Sequence, residues 1–123
     1  MSGELRQREP RQHNERHLKF IRALPCVVCA NPICTEAAHV KMPAPGKRNV
    51  GIGEKAHDRW TVPLCGRCHR YQHSGSERGF WKSVCIDAIQ LAKDLFAVSG
   101  DHEEGERIVS EYNAKSLHLL RHQ

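Results

Sequence analysis

The spacing of apolar residues in the first half of the chain predicts one short helix and two short strands. Segment 13–22 carries a few apolar residues among charges, which favours a short helix. Segments 36–41 and 59–64 predict strands, with Pro63 at an edge or an end of the second. Residues 42–56 between them are rich in Pro and Gly and predict a loop.

The second half has the three- and four-residue apolar spacing of helices. A short helix is expected from about Gly66 to His73, followed by a break at Ser74-Gly75. Next, one continuous apolar stripe from Phe80 to Phe96 predicts a single long helix that closes at Gly100. A final helix over about 102–120 is expected to bury five residues, namely Ile108, Val109, Tyr112, Leu119 and Leu120.

These elements predict an α+β protein with a thin hydrophobic core. The chain has 123 residues, which is the size of one domain, but only seven of them are Phe, Trp or Tyr. Small domains with thin cores often need a metal to hold them together. We divide the chain into a flexible basic arm (1–12), a metal-binding core (13–75) and C-terminal helices that pack on that core (76–123).

Charge is concentrated in one part of the chain. Residues 41–70 contain seven Lys or Arg against two acidic residues, whereas residues 77–123 contain eight acidic residues against six basic ones. A basic segment favours a polyanionic partner such as DNA or RNA, although a solvated basic surface is an equal alternative. No stretch has the roughly 20 apolar residues of a membrane span. We therefore expect a cytoplasmic protein without membrane contact, in which cysteines bind metal rather than form disulfides.

Two CxxC pairs are the strongest chemical signal. Cys26 and Cys29 form the first pair, Cys65 and Cys68 form the second, and 35 residues separate the two pairs. Tetrahedral zinc takes four such thiolates, and each CxxC turn presents two of them together. The sequence therefore predicts a structural zinc. Cys34 is a spare thiol that is less favoured as a ligand, and Cys85 lies on an apolar stripe and is expected in the core.

Three of the nine histidines stand out by position. His69 and His73 are four residues apart on a predicted helix, so both rings can reach one metal ion. His39 lies in the first predicted strand. The alternative is that all three are surface residues or neighbours of the zinc without a catalytic role.

This Cys/His pattern resembles the HNH (ββα-metal) endonucleases. The motifs that carry the resemblance are Cys26-x-x-Cys29, Ala38-His39-Val40 and Pro63-Leu64-Cys65-Gly66-Arg67-Cys68-His69-x-x-x-His73. The longer run from Asp58 to Cys65 is similar to a phage and prophage group that includes the recombination-enhancement-function (Ref-type) nucleases. The similarity covers about residues 24–98.

The resemblance implies a β-hairpin and a helix that grip a divalent metal at the scissile phosphate. His39 would be the general base, and His69 and His73 would hold the metal, with Mg²⁺ or Mn²⁺ expected and Zn²⁺ or Ni²⁺ as alternatives. Many HNH sites have a metal ligand just before the base, but Ala38 occupies that position here. The third ligand would then be His57, Asp58 or water. The Asn of the HNH motif usually fastens the loop behind the base through backbone hydrogen bonds. Asp58 is a better candidate for that role than Asn49.

The implied substrate is DNA, cleaved with little sequence specificity because no element is seen that would read base edges. Basic residues around the predicted site are expected to contact phosphates; they are Lys41, Lys47, Arg48, Lys55, Arg59, Arg67 and Arg70. The basic arm adds Arg6, Arg8, Arg11 and Arg16. Trp60 and Trp81 are expected in the core rather than as stacking platforms.

Three functions are therefore weighed. The first is a metal-dependent DNA endonuclease of bacterial or phage origin, acting in recombination or DNA processing with a recombination or replication protein as a candidate partner. The second is a noncatalytic zinc module that binds nucleic acid. The third, weaker reading is a zinc finger for protein interaction. The sequence leaves the oligomeric state open.

Overall fold

The computed structural model describes residues 12–47 and 56–122, and within them five helices and a two-stranded sheet. The order is α1 (Glu15–Arg22), β1 (Thr35–His39), β2 (Thr61–Cys65), α2 (Gly66–His73), α3 (Glu77–Ser83), α4 (Ala88–Ala97) and α5 (His102–Arg121). The α+β class predicted from the sequence is confirmed. The predictions for the arm before Gln12, and for Arg48, Asn49 and Lys55, lie outside the described residues.

The two strands form an antiparallel pair that leads directly into a helix. Thr35 pairs with Cys65 at one end and His39 with Thr61 at the other. Pro63 donates no backbone hydrogen bond, which a two-stranded sheet tolerates because each strand has an open edge. Helix α2 starts at Gly66, immediately after the last residue of β2. The sheet therefore helps to set the position of the side chains on α2.

Side-chain caps explain where most of the helices begin. The side chains of Asn14, Ser76, Asp87 and Asp101 each accept a hydrogen bond from a backbone N–H of the helix that follows. Such caps satisfy N–H groups that have no partner within the helix. Helix α2 has no side-chain cap at Cys65, whose thiol lies in the cysteine cluster described below.

The single long helix predicted over Phe80–Gly100 is wrong. The structure has two helices there, because α3 ends in a Schellman motif: the Cys85 N–H donates to the Lys82 carbonyl and the Ile86 N–H to the Trp81 carbonyl. Cys85 takes the left-handed conformation, with φ of 56°, although it is not glycine. The apolar stripe runs through this break, so the pattern alone did not show it.

One hydrophobic core joins the sheet, α1 and the C-terminal helices. Ile21, Val62, Leu64, Leu91 and Leu95 are fully buried within it. Trp60 and Trp81 are also buried, as expected from the sequence.

Helix α5 packs closely on α1 at a glycine. A Cβ built on Gly105 would lie 2.8 Å from Cζ of Phe20, so the contact requires glycine. The predicted burial of Leu119 and Leu120 is wrong, because every described residue after Ser116 is exposed and this end of α5 extends past the core. No helix among the described residues is both long and apolar enough to cross a membrane.

Candidate functional site

The four cysteines of the CxxC pairs come from three elements. Cys26 and Cys29 lie in the turn after α1, where the Ala30 N–H donates to the Cys26 carbonyl. Cys65 ends β2, and Cys68 lies in the first turn of α2. The Val27 N–H donates to the Pro63 carbonyl at 3.0 Å, which holds the first turn against β2.

Their sulfur atoms form a compact group. All four Sγ atoms lie within 4.8 Å of one another, and those of Cys29 and Cys65 are 3.7 Å apart. Tetrahedral zinc with Zn–S bonds of about 2.3 Å requires S···S distances of about 3.8 Å. The cluster can therefore hold a metal ion such as zinc. Within residues 12–47 and 56–122 it is the only group of three or more His, Cys, Asp or Glu with ligand atoms this close, and the exposed Cys34 does not belong to it.

The thiols differ in how readily they ionise. Burial raises the pKa of Cys26 and of Cys68. Burial also opposes ionisation of Cys65, but hydrogen bonds from the Cys68 backbone N–H and from the neighbouring thiols outweigh it and hold the pKa of Cys65 at about 7. Cys65 thus supplies a thiolate more readily than Cys26 or Cys68, and binding of a metal would displace the protons of those two thiols.

His39 is paired with a fully buried carboxylate. Nε2 of His39 lies 2.9 Å from Oδ1 of Asp58, and the Asp58 side chain has no solvent exposure. The other oxygen of Asp58 accepts the backbone N–H of Asn14 at 2.7 Å and lies 2.8 Å from Nδ1 of His13. Asp58 therefore fixes the His39 ring and ties the start of α1 to the sheet.

His39, His69 and His73 line one cleft, with a volume of about 430 Å³. The rings of His69 and His73 lie 4.9 Å apart between centroids, as expected for residues one turn apart on α2. The three histidines predicted from the sequence thus face a common space. The other lining residues in the described part of the chain are Leu18, Arg22, Glu36, Ala37 and Lys41.

Glu36 and Arg22 belong to this cleft but were missed from the sequence. Oε1 of Glu36 lies 2.7 Å from Nδ1 of His69. Arg22 reaches the cleft from the last turn of α1 and also contacts Glu15. The available signal for Glu36 was an acidic residue three positions before His39, but the hydrogen bond depends on the pairing of β1 with β2, which sequence spacing does not give.

His57 and Asp58, the suggested third metal ligands, do not line the cleft. His57 is buried, and its Nδ1 accepts the backbone N–H of Gln12 at 2.7 Å. Both side chains instead hold the segment before α1. Among the described residues, Glu36 is the carboxylate that shares the cleft with His69 and His73.

Glu77 connects three elements behind the cleft. Its carboxylate accepts the Lys41 N–H at 3.1 Å, the Gln72 side-chain amide at 3.1 Å and the Trp81 indole N–H at 3.3 Å. The buried amide of Gln72 also donates to the His39 carbonyl at 3.3 Å. This network joins the end of β1 to the helix that carries His69 and His73.

The predicted phosphate-binding residues occupy different surroundings. Lys41 lines the cleft, and Arg67 and Arg70 are exposed on α2. The guanidinium of Arg59 lies 4.6 Å from the centroid of the Phe96 ring. Lys47 is buried, with Nζ 5.7 Å from the centroid of the Trp60 ring.

Comparison with known proteins adds a family but no activity. No curated protein and no solved structure matches the chain. The profile of one family matches residues 5–96, about three quarters of the chain, and includes the four clustered cysteines and the histidine cleft. The description of that family assigns no function. The chain thus belongs to the family described as "Protein of unknown function (DUF968)".

Proposed function

We propose that this protein is a metal-dependent endonuclease of the HNH type that hydrolyses phosphodiester bonds of DNA with low sequence specificity. The observation that carries the proposal is the cleft itself. Three histidines from two elements line it, and His39 is held by a buried carboxylate. The order of β1, β2 and α2 supports an HNH (ββα-metal) core, as does the cysteine cluster at their junction.

The pairing with Asp58 suits His39 to the role of general base. When Nε2–H donates to the Asp58 carboxylate, the basic nitrogen of the neutral ring is Nδ1. The carboxylate also stabilises the imidazolium that forms when the ring takes a proton from water. Asp58 would thus act as a positioning residue, in the place of the Asn of the HNH motif.

His69 and His73 would hold the catalytic metal, and their surroundings fit that role. Donation of the His69 Nδ1–H to Glu36 leaves Nε2 as the ligand atom, an arrangement common for metal-binding histidines. Mg²⁺ and Mn²⁺ are the expected ions, with Zn²⁺ and Ni²⁺ as alternatives. When bound, such an ion stabilises negative charge on the phosphate and on the leaving oxygen.

Cations near the cleft support a polyanionic substrate. Arg22 and Lys41 line the cleft, and Arg67 and Arg70 are exposed on α2. Contacts to phosphates bind DNA without reading its sequence. We extend the proposal to DNA processing or recombination in a bacterium or phage, in which a recombination or replication protein would be the natural partner.

Nicking of a supercoiled plasmid tests the proposal. The wild type is expected to nick with Mn²⁺ or Mg²⁺. We expect His39→Ala to lower the rate at least about 100-fold, because a general base contributes on the order of 10²–10⁴. His73→Ala should also lower the rate and leave the fold intact.

The matched control is His118→Ala, which removes an exposed histidine of α5. It should nick like the wild type, and the zinc content of all variants should be equal. Equal nicking by His39→Ala and the wild type would refute the assignment of the base. Loss of zinc in His73→Ala would refute the division between the two metal sites.

A noncatalytic zinc module that binds nucleic acid remains the second candidate. It is favoured by Ala38, which replaces a frequent metal ligand, and by the histidines, which do not form a metal group as compact as the cysteines. Such a module would bind DNA with strong salt dependence and never cut it. A protein-interaction zinc finger would do neither, so the plasmid assay and a binding assay separate the three functions.

A further inference from the structure

Helix α2 separates the histidine cleft from a second, larger cavity. That cavity has a volume of about 610 Å³ and lies between α2, α3 and the first CxxC turn. Tyr71, Arg67 and Phe80 line it together with smaller residues, which include Cys29 and Cys68 of the cysteine cluster, and none of its described lining residues is Asp or Glu.

The exposed side chains of α2 form a path between the two spaces. At about 100° per residue, His69 and His73 lie on one flank of the helix, and Arg67 and Tyr71 lie on the opposite flank. Arg70 projects between them. Arg67, Arg70 and Tyr71 are all exposed. A path that starts at the cleft therefore crosses a ridge of two arginines, and it ends at an aromatic ring.

Tyr71 differs from the other large aromatic residues in its surroundings. It is 62% exposed, whereas Trp60 and Trp81 are buried in the core. An exposed aromatic ring beside arginines and a cavity is the usual platform for an unpaired base of single-stranded nucleic acid. A helix of about 10–12 Å diameter is narrow enough for one strand to cross.

We propose that this second cavity binds an unpaired nucleobase stacked on Tyr71, while Arg67 and Arg70 contact the phosphates between that base and the cleft. This inference rests on the proposed function, because it takes the strand across α2 from the cleft. The preferred substrate would then be DNA with unpaired bases, as in single strands or branched junctions. Such DNA should bind more tightly than an intact duplex.

The test is binding of a short single-stranded DNA that contains 2-aminopurine, without added Mn²⁺ or Mg²⁺. Stacking quenches the fluorescence of this base, so the wild type should quench it at a defined position in the oligonucleotide. Tyr71→Phe keeps a ring and should quench equally. Tyr71→Ala should lose the quenching and bind about 5-fold or more weakly, which is typical for loss of one stacked base.

An abasic residue at the quenched position completes a double-mutant cycle. It should weaken binding by the wild type by the same factor, and it should not further weaken binding by Tyr71→Ala. Leu117→Ala, which removes an exposed side chain of α5, is the matched control and should behave like the wild type. Equal quenching by Tyr71→Ala and the wild type, or additive effects of the two changes, would overturn the proposal.

The two proposals fail separately. Quenching that depends on Tyr71 in a protein that never cuts DNA would refute the nuclease and leave the base site standing. Cutting that depends on His39, together with binding and quenching that do not change in Tyr71→Ala, would refute the base site and leave the nuclease standing.

Discussion

Two ionisable side chains that contact the start of α1 are fully buried, and one of them is Asp58. Its carboxylate contacts His39 from β1 and the backbone of Asn14 at the start of α1. The other is His17, which lies between the rings of Phe20 and Phe96, with Nδ1 2.7 Å from Oγ of Ser99. Its Nε2 has no hydrogen-bond partner among the described residues.

His17 should make stability depend on pH. Burial lowers the pKa of His17 from 6.5 to about 4, with a smaller lowering by Arg59 and a partial opposing effect of Asp58. The depressed pKa means that the unfolded chain takes up a proton between these values while the folded protein does not. The stabilisation from neutral His17 is therefore present above pH 6.5 and is lost as pH falls towards 4.

Protonation of His17 should lower the free energy of unfolding by up to about 3 kcal/mol, since each pKa unit corresponds to about 1.36 kcal/mol. Urea unfolding at pH values from 7 to 4 measures it, and His17→Phe should show a flatter dependence than the wild type. NMR titration should place the His17 pKa well below its ordinary value of 6.5. A His17 titration near 6.5, or equal pH slopes in both proteins, would contradict this account.

At the scale of single residues, the sequence indicated the chemistry but not the pairing. The two CxxC spacings led directly to the cysteine cluster, because a turn of this length presents both thiols together. The pairs His39–Asp58 and His69–Glu36 join residues 19 and 33 positions apart. Such pairs are set by strand register and by the docking of α2, neither of which appears in local spacing.

At the scale of elements, the short helix α2 is held by its neighbours rather than by its own cap. Its first residue follows β2 directly, and Gln72 on its buried face is bonded to the carboxylate of Glu77 in α3. The break between α3 and α4 was missed because a non-glycine residue, Cys85, adopts the left-handed conformation that ends α3. The cap at Asp87 was the one local signal for the restart.

Glu77→Gln should loosen the link between β1, α2 and α3. The carboxylate faces donors only, and an amide would place its own N–H₂ group among them. We expect the free energy of unfolding to fall by about 1–3 kcal/mol. The nicking rate should fall as well, because Lys41 and the His39 carbonyl are fixed through this network.

Glu106→Gln is the control, since its contact with His102 is an exposed ion pair at 3.5 Å. Such pairs contribute little, so this variant should change stability by under about 1 kcal/mol. Urea unfolding and the plasmid assay measure both effects. If Glu77→Gln unfolded and nicked like Glu106→Gln, the network would have no role in positioning.

At the scale of the whole molecule, the thin core and the cysteine cluster act together. The cluster joins the turn after α1, the end of β2 and the start of α2, so a metal there would fix three elements at one point. The C-terminal helices complete the core, and α5 reaches the first CxxC turn, where the Asn113 amide donates to the Val27 and Val28 carbonyls. The amphipathic pattern predicted helices in this part of the chain, but neither the break between α3 and α4 nor the elements that the helices cover.

Loss of one cysteine should therefore unfold the domain. Cys65→Ala removes a thiol whose pKa is lowered and leaves three ligands, and metal binding is coupled to folding in such sites. We expect loss of bound zinc and of the cooperative thermal transition, measured by metal analysis and circular dichroism. Cys34→Ala, which removes an exposed thiol outside the cluster, should keep both. Zinc retained in Cys65→Ala, or lost in Cys34→Ala, would show that the ligand set is wrong.

Our main proposal is that this small fold holds two metal ions of different kinds, one on the cysteines and one between the histidines of the cleft. Anomalous diffraction from a crystal soaked in Mn²⁺ measures this directly. We expect a zinc peak among the four sulfur atoms and a separate manganese peak within bonding distance of His69 and His73. A zinc peak with no manganese in the cleft at saturating Mn²⁺ would contradict the claim.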